Sequence, residues 1–234
     1  MRSKTRFESL CMRSLLVLAS VVIVAAPRAA HAQTQTVCGP EVKEEVAKAL
    51  AGREDASDDQ QLAVEKELYA KFQYCAQDAY AYPVSSTFLT AARECGAAVS
   101  NLGSLFYEDM SCAGYDPQRR LFAAPIKIKQ TFGFGPAPLP GSREHVLHCV
   151  ADVNGVLLPV ARDSVHLADA IPGSVPTWQF AVIAVANQNL QTVLPLNGQT
   201  RRARSILSWQ LRPTDCNYQP IWGNALNYRI RLDQ

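Results

Sequence analysis

Six cysteines do most to limit what this chain can fold into: Cys38, Cys75, Cys95, Cys112, Cys149 and Cys216, all downstream of a 32-residue leader. An even set in an exported chain predicts three disulfides, because the space beyond the membrane is oxidising. No Cys-x-x-Cys occurs, which argues against a thioredoxin-like redox centre and against a zinc ribbon. The leader itself is expected to be a signal peptide over residues 1–32. Arg2, Lys4, Arg6 and Arg13 precede the apolar run SLLVLASVVIVAA at 14–26, and Ala30-His31-Ala32 offers small residues for cleavage. That run is short for a transmembrane helix and has secretory flanks. Cys11 would leave with it. Val37 before Cys38 does not suit lipidation, so no transmembrane or lipid anchor is expected after cleavage. No Asn-x-Ser/Thr sequon occurs, which favours a bacterial periplasmic or secreted protein over a glycosylated eukaryotic one.

Losing the leader reverses the charge. Five of the 23 basic and one of the 21 acidic residues go with it, leaving 18 against 20 and a net charge of −2 over 202 residues. The basic pI of the full chain therefore gives no reason to expect nucleic acid.

Periodicity divides the remainder in two. Gly39-Pro40 opens a helix that Gly52 closes, and Ser57 with Gln60 forms a capping box for a second, running to about Ala79. On it Val64, Leu68, Phe72, Cys75 and Ala79 share one face. A third apolar stripe, Phe88, Ala92, Cys95 and Val99, follows Pro83. From about residue 121 the signal is β: FAVIAVA (180–186), SILSWQL (205–211), ALNYRIRL (225–232), and turns at Asn154-Gly155 and Asn197-Gly198. The fold expected is α+β. A disulfide-tied, acidic helical segment over 33–115 precedes an antiparallel β-sandwich over 116–234. Reflection about the loop near Asp55 would bring Cys38 to Cys75, so that Cys95 pairs with Cys112 and Cys149 with Cys216. Sequence alone leaves the other connectivities open.

Charge follows the same division. Residues 33–110 carry 6 basic and 13 acidic side chains; residues 111–234 carry 12 and 7. Either the parts attract one another, or the β part meets an acidic surface. Arg201, Arg202 and Arg204 are the local candidates for that contact. No aromatic residue interleaves with them, which argues against single-stranded nucleic acid.

The stretch EHVLHC at 144–149 resembles a metal motif on paper. A type I′ turn at Asn154-Gly155 would set Val153 opposite Val156 and Cys149 opposite Val160. His145, Leu147 and Cys149 would then face the core, and His148 the other side. The two histidines would not share a ligand. His145 and His166 would be diagonal neighbours, the remaining metal candidates, lacking a third partner. Ser142 or Ser164 with Asp163 or Asp169 could complete a triad on paper only, since a triad is defined by geometry. No nucleophile elbow or phosphate-binding glycine loop is present. The expected function is thus an exported, non-catalytic binding or structural protein of the envelope or extracellular space, meeting a protein or cell-surface glycan through a surface. No cofactor is expected. The alternative is an exported hydrolase, metal-assisted or not, with its site near His145 and His166.

Overall fold

A computed structural model describes residues 40–51, 53, 56–75, 84–135, 141–169, 178–187 and 200–232. The leader, Cys38, Ala79 and the Asn197-Gly198 turn lie outside these residues. Gln35–Gln234 forms one compact unit. The architecture is α+β, with three helices and two antiparallel sheets among the described residues. Among the described residues the helices are α1 (Pro40–Leu50), α2 (Asp58–Phe72) and α3 (Ser86–Glu94). Nine strands follow: β1 (Ala98–Leu102), β2 (Glu108–Asp109), β3 (Gly114–Asp116), β4 (Leu121–Ile128), β5 (Ser142–Ala151), β6 (Leu157–Leu167), β7 (Gln179–Val185), β8 (Thr200–Trp209) and β9 (Asn224–Arg231). No described helix is long and apolar enough to cross a membrane.

The second helix begins where its capping box says it should. Ser57 Oγ accepts from the Gln60 amide, and Gln60 Oε1 accepts from the Ser57 amide, satisfying two donors the first turn would otherwise orphan. Leu68, Phe72 and Cys75 are buried along the stripe read from sequence. The third stripe breaks earlier than its spacing suggests. Gly96, at φ +70°, ends α3, with its amide donating to the Arg93 carbonyl, so Val99 lies on β1. Strands thus begin at Ala98, within the stretch expected to be helical to residue 115. A lone helical-looking spacing could not register a glycine stop between Cys95 and Val99.

The larger sheet runs β1-β9-β8-β5-β6; in the smaller one β4 pairs with β2, β3 and β7. On β4 burial alternates strictly, with Phe122, Ala124, Ile126 and Ile128 inward, as a half-buried strand requires. These residues share one core with Val146 and Val150 of β5, Val160 of β6, Val182 of β7 and Leu226 of β9. Phe122 of β4 stacks on His148 of β5 with ring centroids 4.9 Å apart. The other face of β5 is also covered. Leu147 and Cys149 pack with Ile206, Cys216, Tyr218 and Tyr69 of α2. Both faces being buried corrects the sequence assignment of one core face to His145, Leu147 and Cys149. Alternation separated the two sets of side chains correctly, but the residues covering the second set come from distant chain.

The hairpin joining β5 and β6 also departs from expectation. Its loop is three residues, Val153 to Gly155. The Asp152 amide donates to the Val156 carbonyl at 2.8 Å, and the Gly155 amide to the Asp152 carbonyl at 3.0 Å. Gly155 has φ +83°, the left-handed residue such loops need, and Asp152 Oδ1 accepts from the Asn154 and Val156 amides. Near the turn the register is therefore one residue off, with Cys149 opposite Pro159. A bulge between His148 and Cys149 restores His145 opposite Ser164.

Two disulfides are described, Cys95–Cys112 and Cys149–Cys216, with Cα separations of 5.5 and 6.0 Å. Cys75 is disulfide-bonded as well. The second bridge, spanning 67 residues, holds the segment after β8 over the outer face of β5 and closes a loop of the size that stabilises by about 2–4 kcal/mol.

Candidate anion-binding groove

The cluster RRAR reads as a turn exit, but it lies inside β8, and strand geometry sorts its members. Arg202 and Arg204 alternate onto one face. Arg201, opposite Ile230, falls on the other face and is not among the groove's lining residues, although Ala203, Tyr228 and Ile230 of that face are, so the groove wraps both faces of the strand pair. On β9 the sequence YRIR places Arg229 and Arg231 two apart. The pairing sets Arg229 directly across from Arg202, and Arg231 across from Thr200. Paired residues project from the same face of a sheet, so the two strands bring their arginines together. Arg93, in the last turn of α3, adds a fifth.

These five side chains line an open groove of about 1020 Å³, together with Tyr115, Tyr228 and Leu157. No aspartate or glutamate is among the described lining residues, and none of the five arginines makes an ion pair among the described residues. Like charges directly opposite on neighbouring strands destabilise, so the Arg202–Arg229 pair does nothing for the sheet. The guanidinium groups are not equivalent. Arg204 is half-buried and donates to the Cys216 carbonyl at 3.0 Å and to Ser100 Oγ at 2.9 Å. It ties the disulfide loop to β1, and burial lowers its affinity for its proton. Arg202 donates from Nη2 to the Gly155 carbonyl at 2.7 Å. Arg93, Arg229 and Arg231 are exposed. The sequence offered a signal for the β9 pair: two arginines at strand spacing, one of which, Arg229, has a basic partner in register. Without the register it could not be read.

The histidine candidates lie elsewhere. A second depression of about 780 Å³ is lined by His145, His166, Ser142, Ser164, Asp163 and the ion-paired Arg212, among others. The structure thus brings together most of the residues from which a hydrolytic site was assembled on paper. Asp169 is apart, accepting the Phe134 amide at 2.7 Å. His145 is buried, and burial, with Arg212, Arg143 and Arg162 nearby, lowers its pKa to about 3. It is a neutral imidazole at physiological pH and a feeble base. No group of three or more His, Cys, Asp or Glu side chains with metal-holding geometry occurs among the described residues.

His148 points the other way, as the alternation required. Its Nδ1 lies 2.7 Å from Ser205 Oγ, which lies 2.9 Å from the Tyr228 hydroxyl. The spacing is that of a nucleophile and its base, yet His148 and Ser205 are both fully buried, and no substrate reaches them. Burial lowers the His148 pKa to about 3 and pushes Tyr228 up to about 12, so the trio is a neutral relay within the core.

One ion-pair cluster joins the acidic and basic parts. Arg212 Nε donates to both Glu65 carboxylate oxygens of α2, at 2.9 and 3.0 Å, while Nη1 reaches Asp58 at 3.4 Å. Compared with known proteins, the chain matches no protein-family model, and no curated protein is significantly similar to it.

Proposed function

We propose that this is an exported binding protein whose arginine groove receives an acidic partner, a protein or glycan bearing carboxylate or phosphate groups. The observation that carries the reading is the five-arginine lining without a described carboxylate. Guanidinium groups with no ion-pair partner among the described residues are available for bidentate pairing with oxyanions, and a single-sign groove attracts such partners from a distance. Three further readings support a rigid exported scaffold. The two sheets form the layers of a sandwich around one apolar core. The disulfides suit an oxidising compartment, periplasmic or extracellular. Arg204, held by the Cys149–Cys216 loop, fixes the groove floor in place.

The test is calorimetric titration of the purified protein with poly-L-glutamate and polygalacturonate, with dextran as the neutral control. Binding to an acidic polymer that weakens between about 50 and about 200 mM salt is expected. The combined variant Arg202→Ser, Arg229→Ser, Arg231→Ser is expected to bind about tenfold more weakly or worse. Equal affinity of the variant and the parent would remove the groove from the proposal.

A hydrolase centred on His145 and His166 is the second reading, favoured by their shared depression with Ser142 and Ser164. Substituting both histidines by alanine should then abolish any hydrolysis detected, and unchanged turnover would eliminate that site.

A further inference from the structure

Lys43 occupies a place where a lysine is rarely found. On α1 it lies three residues from Val46, on the face buried against the strands, and it is only 3 % exposed. Its Nζ lies 3.7 Å from the Tyr107 ring centroid, 4.2 Å from that of Trp209, 5.0 Å from Phe134 and 5.9 Å from Trp222. Glu108 Oε2 is 3.9 Å away. Glu144, opposite Trp209 in the β5–β8 pairing, is fully buried and adds a second carboxyl whose field reaches Lys43, as does that of Asp169.

The walls come from separate parts of the fold. Tyr107 and Glu108 lie at β2, Phe134 follows β4, Glu144 is on β5, Trp209 ends β8, and Trp222 precedes β9. Gly133, at φ +95°, shapes one wall, since a Cβ there would overlap the Tyr107 ring. Lys43 Nζ, the Tyr107 hydroxyl, both indole N–H groups and all four carboxylate oxygens of Glu108 and Glu144 are buried without a hydrogen-bond partner among the described residues.

A lysine serving as an ordinary core strut would be expected to spend its three donors on carbonyls or carboxylates. Lys43 is held instead by ring quadrupoles and by charge at a distance, the way aromatic enclosures recognise ammonium ligands. The occupant arrives on a helix, while the walls belong to the strands and the loops joining them. Besides Lys43, α1 is held by Val46, fully buried in the main core with Val42, Ala47, Ala49 and Leu50 packed against that core, and by the exposed Lys71–Glu45 ion pair to α2, of a kind that stabilises little.

We propose that this enclosure is an alkylammonium-binding cage, with Lys43 as its resident ligand carried in on α1 as a displaceable latch. The ligand class is a primary ammonium on an unbranched alkyl chain. Burial lowers the proton affinity of Lys43 and raises that of Glu108 and Glu144, while the attraction between Lys43 and these carboxyl groups acts the other way and favours a cation in the cage. Asp109 and Lys129, 3.6 Å apart, lie behind Glu108 as the next charged pair.

The test uses the full chain. Lys43→Ala removes the equivalent of n-propylammonium. The melting temperature of the variant should rise with the logarithm of n-propylammonium concentration, and n-propanol or matched sodium chloride should not reproduce the rise. A melting temperature indifferent to the amine, or one raised equally by the alcohol, would overturn the cage. The latch is tested in the unsubstituted protein, which also decides the matter if Lys43→Ala does not fold. Hydrogen exchange of the amides at 41–50 should quicken by about fivefold or more in n-propylammonium relative to sodium chloride, as the helix opens locally. Unchanged exchange there would overturn displacement of Lys43.

Discussion

The arginine groove and the Lys43 cage are both places where charge gathers, and they handle it oppositely. The groove holds five cations of one sign, four of them exposed, with no described carboxylate in its lining. Water screens them, so leaving them unpaired costs the fold little. The cage holds one cation with two carboxyl groups, walled by aromatic rings and closed to solvent. Water cannot help there, and every group must be compensated by another or lose its charge. Charge on the surface is free to meet a partner, whereas charge in the core is committed to its neighbours until something replaces them.

The comparison can be broken first at the cage. Lys43→Met leaves Glu108 and Glu144 facing each other without their cation and should destabilise by about 3–5 kcal/mol, read from urea midpoints. Replacing all three together, with Leu for both glutamates, should recover most of that loss; if the triple variant is as unstable as the single, the cluster is not a compensated set. Acid supplies the next test. His145 and His148 are held neutral with pKa values near 3, so the unfolded chain takes up protons first. Stability from them is complete above about pH 6.5 and is lost as the pH falls toward 3, on the order of 4 kcal/mol each at the acid end. His148→Phe should flatten the fall between pH 6 and 4, in circular dichroism melts over that range. Glu108 and Glu144, with raised proton affinity, act with the opposite sign and lose their contribution as the pH rises. Between cage and groove in size is the Cys149–Cys216 bridge. Changing both cysteines to alanine should cost about 2–4 kcal/mol and loosen Arg204, visible as a weaker affinity for acidic polymers. At the groove itself Arg229→Ser should shift stability by about 0.5 kcal/mol or less, in either direction, while weakening polyanion binding. A large stability loss there would show that the arginines are structural.

Much of the architecture was legible before any coordinates. The capping box at Ser57 and Gln60 and the buried stripe Leu68-Phe72-Cys75 follow from local spacing, and the Cys149–Cys216 bridge was the preferred one among connectivities that the sequence leaves open. His145 faces Ser164 as expected, although through a different turn and a compensating bulge. The groove was half legible: Arg202 and Arg204 stand out in the sequence, but Arg93, Arg229 and Arg231 do not announce themselves. Lys43, Glu108 and Glu144 were missed. A lysine at an apolar position of α1, three before Val46, was the available signal, and nothing local says whether such a residue snorkels to water or is driven inward.

By itself the sequence determined where α1 and α2 begin and where most strands after residue 121 form, though not β1–β3, and it showed which residues share a face and that cysteines on those faces could be joined. Periods of 3.6 and 2 and the turn residues are short-range properties, so a linear reading reaches them. Only the tertiary structure decided which faces meet. The order β1-β9-β8-β5-β6 places arginines from residues 93, 202 and 229 side by side and seals a lysine from α1 against tryptophans more than 160 positions later. Those encounters depend on strand register and on how layers close over one another. Burial and its electrostatic consequences are properties of the closed object, which no segment of the chain possesses alone.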